Sequence, residues 1–148
     1  MMNNNQFVIT IILAFILSAC SAASNSGITK IGIHVTPKDG YAYCEFTADG
    51  WAEGGHESGG AEPFVHVNRE KLSQEKINEI WAAAGAIDTQ AYALGTSDLR
   101  ECVDCVDLFI YYMDGKVMHL SWPFGEQHPD RKVQELETLL YEFNVGGW

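Results

Sequence analysis

Apolar and polar residues alternate along several stretches of the chain, and each alternation predicts a strand, because successive strand side chains point to opposite faces. Ile31, Ile33 and Val35 share one face of the first stretch, and Ala42, Cys44 and Phe46 one face of the second. Val106, Leu108, Ile110 and Tyr112 share a third, and Val117 with Leu120 marks its return strand. Phe64 to Asn68 is a further short candidate, carried by Val65 and Val67. Asp-Gly pairs stand at Asp39-Gly40, Asp49-Gly50 and Asp114-Gly115. Between alternating segments this pair predicts tight hairpins of type I′, which need positive φ at both central residues.

Two stretches follow a helical period instead. Leu72-Ser73-Gln74-Glu75 opens the first: Ser73 can cap, Glu75 suits the positive end of the dipole, and Leu72 with Ile77 stand in staple positions. Ile77, Ile80, Trp81 and Ala84 mark its apolar face and Gly85 its end. The second runs from about Asp130 to Phe143 behind Pro129, with Val133, Leu136, Leu140 and Phe143 as its stripe and Gly146-Gly147 beyond it. The predicted order is β-β-β-(β)-α-β-β-α. Strands and helices do not alternate, so the fold class is α+β: an antiparallel sheet with both helices on one face.

The chain has 148 residues and a formal charge of −11, and residues 1–19 hold no Asp, Glu, Lys or Arg. The acidity therefore belongs to the remainder, where it repels phosphate backbones and argues against a nucleic-acid partner. It equally repels anionic lipid surfaces, so charge alone will not hold the domain to a membrane.

Phe7 to Leu17 is an unbroken apolar run, too short to span a bilayer comfortably and of the length of a signal-peptide core. Leu17-Ser18-Ala19-Cys20 follows at once. This motif resembles the bacterial lipobox, although the preceding MMNNNQ lacks the usual Lys or Arg. The resemblance implies a signal peptide over 1–19, cleavage before Cys20, and diacylglycerol on the Cys20 thiol. Two or more acyl chains anchor a protein stably where one does not. It also implies a place in the cell envelope. In a Gram-negative cell, Ser21 would direct the protein to the outer membrane, facing the periplasm. Residues 20–28 then form the lipidated Cys and a small, polar tether, and residues 29–148 one globular α+β domain.

Cys44, Cys102 and Cys105 are the remaining thiols. An oxidising compartment makes a disulfide the default. Cys102-Val-Asp-Cys105 has the C-x-x-C spacing, but it runs into a strand rather than a helix N-terminus, and Glu101, Asp104 and Asp107 surround it with negative charge. Both features oppose a reactive thiolate. The reading prefers a structural Cys102–Cys105 bridge over a link to Cys44, whose inward position also suits a buried free thiol. A zinc site on these cysteines lacks the second close ligand pair such sites use, so no metal and no cofactor is expected.

The stretch 51–63, WAEGGHESGGAEP, gathers Glu53, His56, Glu57 and Glu62 and reads as a long glycine-rich loop. Its carboxylate–His cluster could bind a cation or a ligand, yet a solvated loop gives the same composition. Tyr41, Tyr43, Phe109 and Tyr111 fall on the outer sheet face. Such a row can grip a partner or a sugar. It can equally lie under the 86–104 segment and the C-terminal tail, with Trp148 packed back as a plug.

Beyond the lipobox, the Asp-Gly hairpin followed by Gly50 to His56, the Leu72-Ser73-Gln74-Glu75 helix start, the late hairpin and the Leu-rich closing helix resemble an uncharacterised group of small bacterial secreted domains. That resemblance implies a fold and an address and brings no activity with it. The expected function is a lipid-anchored binding or structural module of the envelope, not an enzyme. Its partners would be the membrane, through the lipid on Cys20, and an envelope protein or polymer met through Tyr41, Tyr43, Tyr111, His56, Glu53 or Glu57. The alternative is a thiol or metal-binding envelope protein using Cys102/Cys105 and Cys44. A hydrolase built on His56 with Glu53 or Glu57 has least support.

Overall fold

The computed structural model describes residues 27–38, 40–58, 64–95 and 103–143. Strands β1 (Ile28–Thr36), β2 (Gly40–Thr47), β3 (Trp51–Ser58) and β4 (Phe64–Lys71) form an antiparallel meander. Helix α1 (Gln74–Gly85) follows, then the two-residue β5 (Leu94–Gly95), β6 (Cys105–Tyr112), β7 (Val117–Pro123) and helix α2 (Arg131–Glu142). β6 returns to the free side of β1, so the seven strands stand in the order β4-β3-β2-β1-β6-β7-β5. This is the expected α+β architecture, an antiparallel sheet with two helices.

The alternation does what it predicts. Ile31, Ile33 and Val35, Cys44 and Phe46, and Val106, Leu108 and Ile110 all enter one core. Ile77, Ile80, Trp81 and Ala84 of α1 and Val133, Leu136 and Leu140 of α2 pack on the same side. Each Val, Leu, Ile or Phe among them contributes about 1.5–3 kcal/mol on burial. β7 differs from expectation in detail. Met118, Leu120 and Trp122 make its core row, while Val117 stands in register with Tyr111 on the other face and is buried there.

Hairpins form at all three Asp-Gly pairs, and the second and third carry one positive φ each rather than two. Gly50 (φ 90°) and Gly115 (φ 81°) are left-handed, and Asp49 and Asp114 are not. Gly50 N donates to Thr47 O at 2.9 Å and Gly115 N to Tyr112 O at 3.0 Å. Each is a short connection that ends in a left-handed glycine, a loop class that also matches strand twist. At the first pair Asp39 lies outside the described residues.

A second departure bears on function. Trp51 to Ser58 is a strand, not part of a loop, and pairs with β2 and β4 along its whole length. Gly54 and Gly55 erase the side-chain alternation that would announce it, while backbone pairing on both sides holds it extended. Residues 59–63, with Glu62, lie outside the described residues.

Asp130 caps α2. Its carboxylate accepts from Lys132 N at 2.8 Å and from Tyr92 Oη at 2.7 Å. The Tyr92 bond holds its pKa below the usual carboxylate range, and burial with that bond pushes Tyr92 up to about 12. A depressed carboxylate stabilises the fold above its unfolded pKa and loses that contribution as pH falls through the folded one. Asp130→Ala is expected to cost about 1–2 kcal/mol, read as a lower urea midpoint at neutral pH. The difference from the parent should shrink as the pH is lowered through the carboxylate range.

Candidate functional site

Two arrangements of polar and aromatic groups stand out, one on each side of the sheet. On the open side a row of rings crosses four strands. Tyr41 and Tyr43 of β2 flank His34 of β1 at 5.7 and 6.0 Å, His34 lies 5.0 Å from Phe109 of β6, and Phe109 stacks on His119 of β7 at 4.6 Å. The row follows from the strand register, which sets His34 opposite Tyr43 and Phe109 opposite His119. Polar bonds pin it. Tyr41 Oη meets His34 Nδ1 at 3.0 Å, and His119 Nε2 lies 2.6 Å from Oδ1 of the fully buried Asp107. The His34 imidazole and Lys30, 3.0 Å away, hold the Glu45 carboxyl below its ordinary pKa. Tyr43 Oη donates to Glu53 at 3.4 Å, and Lys30 stands over the Tyr111 ring at 4.3 Å. Burial and the nearby Glu53 push the Tyr43 hydroxyl up.

On the helix side a cavity of about 640 Å³ opens between the sheet and α2. That volume lies in the range of small-molecule sites. Val35, Pro37, Ala42, Val106 and Phe124 give it apolar walls, and Tyr41, His56, Glu57, Glu126, Glu137 and Tyr141 supply the polar groups. Phe124 and Tyr141 are 50% and 37% exposed. Glu137 and Tyr141 sit one turn apart on the flank of the α2 stripe, and the Tyr141 hydroxyl donates to the Glu137 carboxylate. Burial raises the pKa of Glu137, and burial together with the Glu137 charge raises that of Tyr141.

The structure divides the residues singled out in the sequence. Tyr43, Tyr111 and Glu53 belong to the ring side, His56 and Glu57 to the cavity, and Tyr41 touches both. The supposed carboxylate–His cluster of one loop is not a unit, because strand alternation sends Glu53 and His56 to opposite faces. Among the described residues no three His, Cys, Asp or Glu stand together as metal ligands.

Cys44, read as a disulfide candidate or a buried thiol, stands outside any disulfide and is fully buried on the core row of β2. Cys105 is disulfide-bonded, and Cys102 lies outside the described residues. Asp104, between the two, is left-handed at φ 64°; its N–H donates to Thr36 O at 2.7 Å and its carbonyl accepts from Phe124 N at 3.0 Å. That turn ties the cysteine segment to the cavity rim. The expected Trp148 plug also falls outside the described residues.

Glu126, Glu137, Tyr141 and Phe124 escape a sequence reading. The one available signal is the Glu137/Tyr141 pair at i,i+4 beside the apolar stripe, a pattern shared by many solvated helix flanks. No protein-family model matches the chain, and no curated protein matches it either.

Proposed function

We propose that this chain is a lipid-anchored domain of the cell envelope that binds a small apolar ligand in the cavity beneath α2. The cavity carries the reading: its size, its apolar walls and its few convergent polar groups are the usual attributes of a binding site. The lipobox supports the address, with Cys20 as the acylated residue and the membrane as the resulting partner. Cys102 is the proposed partner of Cys105, a bridge that would stiffen the cavity rim rather than transfer electrons. The thiol or metal alternative gains nothing from the geometry, since Cys44 is sealed in the core and Cys105 is already bridged.

Two measurements test the two halves. Membrane-extracted protein, alkylated without reductant and mapped by mass, is expected to show acyl mass on Cys20 and a Cys102–Cys105 peptide pair. An unmodified Cys20 would remove the anchor. For the cavity, the neutral dye Nile red is expected to bind saturably, one per chain. Phe124→Ala should weaken it several-fold with little cost in folding, because Phe124 is half exposed. Absence of saturable dye binding would overturn the ligand-binding reading.

A further inference from the structure

The charge in and around the cavity goes further and specifies the ligand. Among the described residues, three carboxylates line it, those of Glu57, Glu126 and Glu137, and no Lys or Arg does. None of the three is in an ion pair among the described residues. Glu137 is half-buried beside apolar walls, an environment that penalises its charged form. The Tyr141 hydroxyl supplies one hydrogen bond to it, and a carboxylate has room for several more. A fatty acid or a phosphate ester would bring a second negative charge into this setting. A cation would relieve the cost of burying Glu137 and would also find the rings of Tyr41, Phe124 and Tyr141, whose faces attract positive charge.

Resting on the binding reading above, we propose that the ligand is a monocation with an apolar body, an aliphatic or aromatic ammonium, whose head pairs with Glu137. The hydrocarbon fills the space against Val35, Ala42 and Val106. The ammonium donates to the Glu137 oxygens left open by Tyr141.

Calorimetric titration of the folded protein with decylammonium, decanol and decanoate, each below its micelle concentration, tests this directly. The chains are equal in length and differ only in the charge of the head. Decylammonium is expected to bind at least about tenfold tighter than decanol, the worth of one charge-assisted contact, and decanoate weaker than either. Glu137→Gln should lower the decylammonium-to-decanol affinity ratio by about tenfold. Glu135→Gln makes the same change of net charge on an exposed part of α2 away from the cavity, and should leave the ratio within twofold. If decanol binds and the three ligands show no order of charge, or if Glu135→Gln matches Glu137→Gln, the cation proposal falls while the binding reading stands. If none of the three binds and Nile red also fails, the binding reading itself falls.

Discussion

Replacing His119 with phenylalanine is expected to cost the fold about 3 kcal/mol. The Asp107 carboxylate is fully buried, and His119 Nε2 is 2.6 Å from its Oδ1. Phenylalanine keeps a flat ring against Phe109, which stacks on His119 with the planes 7° apart. The substitution therefore preserves most of the packing and removes one polar partner of Asp107. The fully buried Asp107 carboxyl then loses its imidazole contact, and breaking one contact of a buried polar group costs more than that contact contributes on balance. Urea unfolding of His119→Phe, Asp107→Asn and the double variant closes a cycle. A coupling of about 2 kcal/mol or more is expected, at an unchanged dependence on denaturant. A coupling below about 0.5 kcal/mol would show that the two side chains are neighbours without being partners.

Trp81→Ala is expected to be still more damaging, at about 4 kcal/mol. Trp81 is 2% exposed in the middle of α1 and lies in the shared core. Its indole Nε1 donates to the carbonyl of Ile28 at 3.1 Å, across 53 residues of sequence. Truncation opens a cavity where α1 meets the first strand and deletes that bond. Trp81→Phe separates the two losses, since it keeps much of the volume and gives up only the donor, for about 1–2 kcal/mol. Domains of this size are stable by only about 5–15 kcal/mol, so Trp81→Ala should shift the urea midpoint strongly. An unfolding free energy within about 1 kcal/mol of the parent would mean that α1 is not held to β1 through this residue.

Much of the architecture is legible along the chain because its signals are local. The β1, β2 and β6 rows alternate cleanly, Ser73 and Asp130 each precede an apolar stripe of helical period, and Asp-Gly marks two tight turns. The order counts a third strand before the 64–68 candidate, but its place was not legible because Gly54 and Gly55 carry no side chains to alternate, and β5 was missed because two residues are too few to show a period.

The candidate site follows the same division. Tyr41, His56 and Glu57 drew attention by residue type alone, but nothing along the chain joins them to Glu137 and Tyr141, which come from the last helix. Nor does it join Asp107 to His119, or His34 to Phe109. By itself the sequence determined most of the strand and helix pattern, the acidity and the resemblance of Leu17-Ser18-Ala19-Cys20 to a lipobox, because each is written in residues close together. Only the tertiary structure decided that β6 returns beside β1, that Cys44 is sealed in the core, and that Glu57, Glu126 and Glu137 share one apolar cavity. Those outcomes depend on contacts between residues far apart in the chain, and the apolar faces select such contacts only when they assemble into one core.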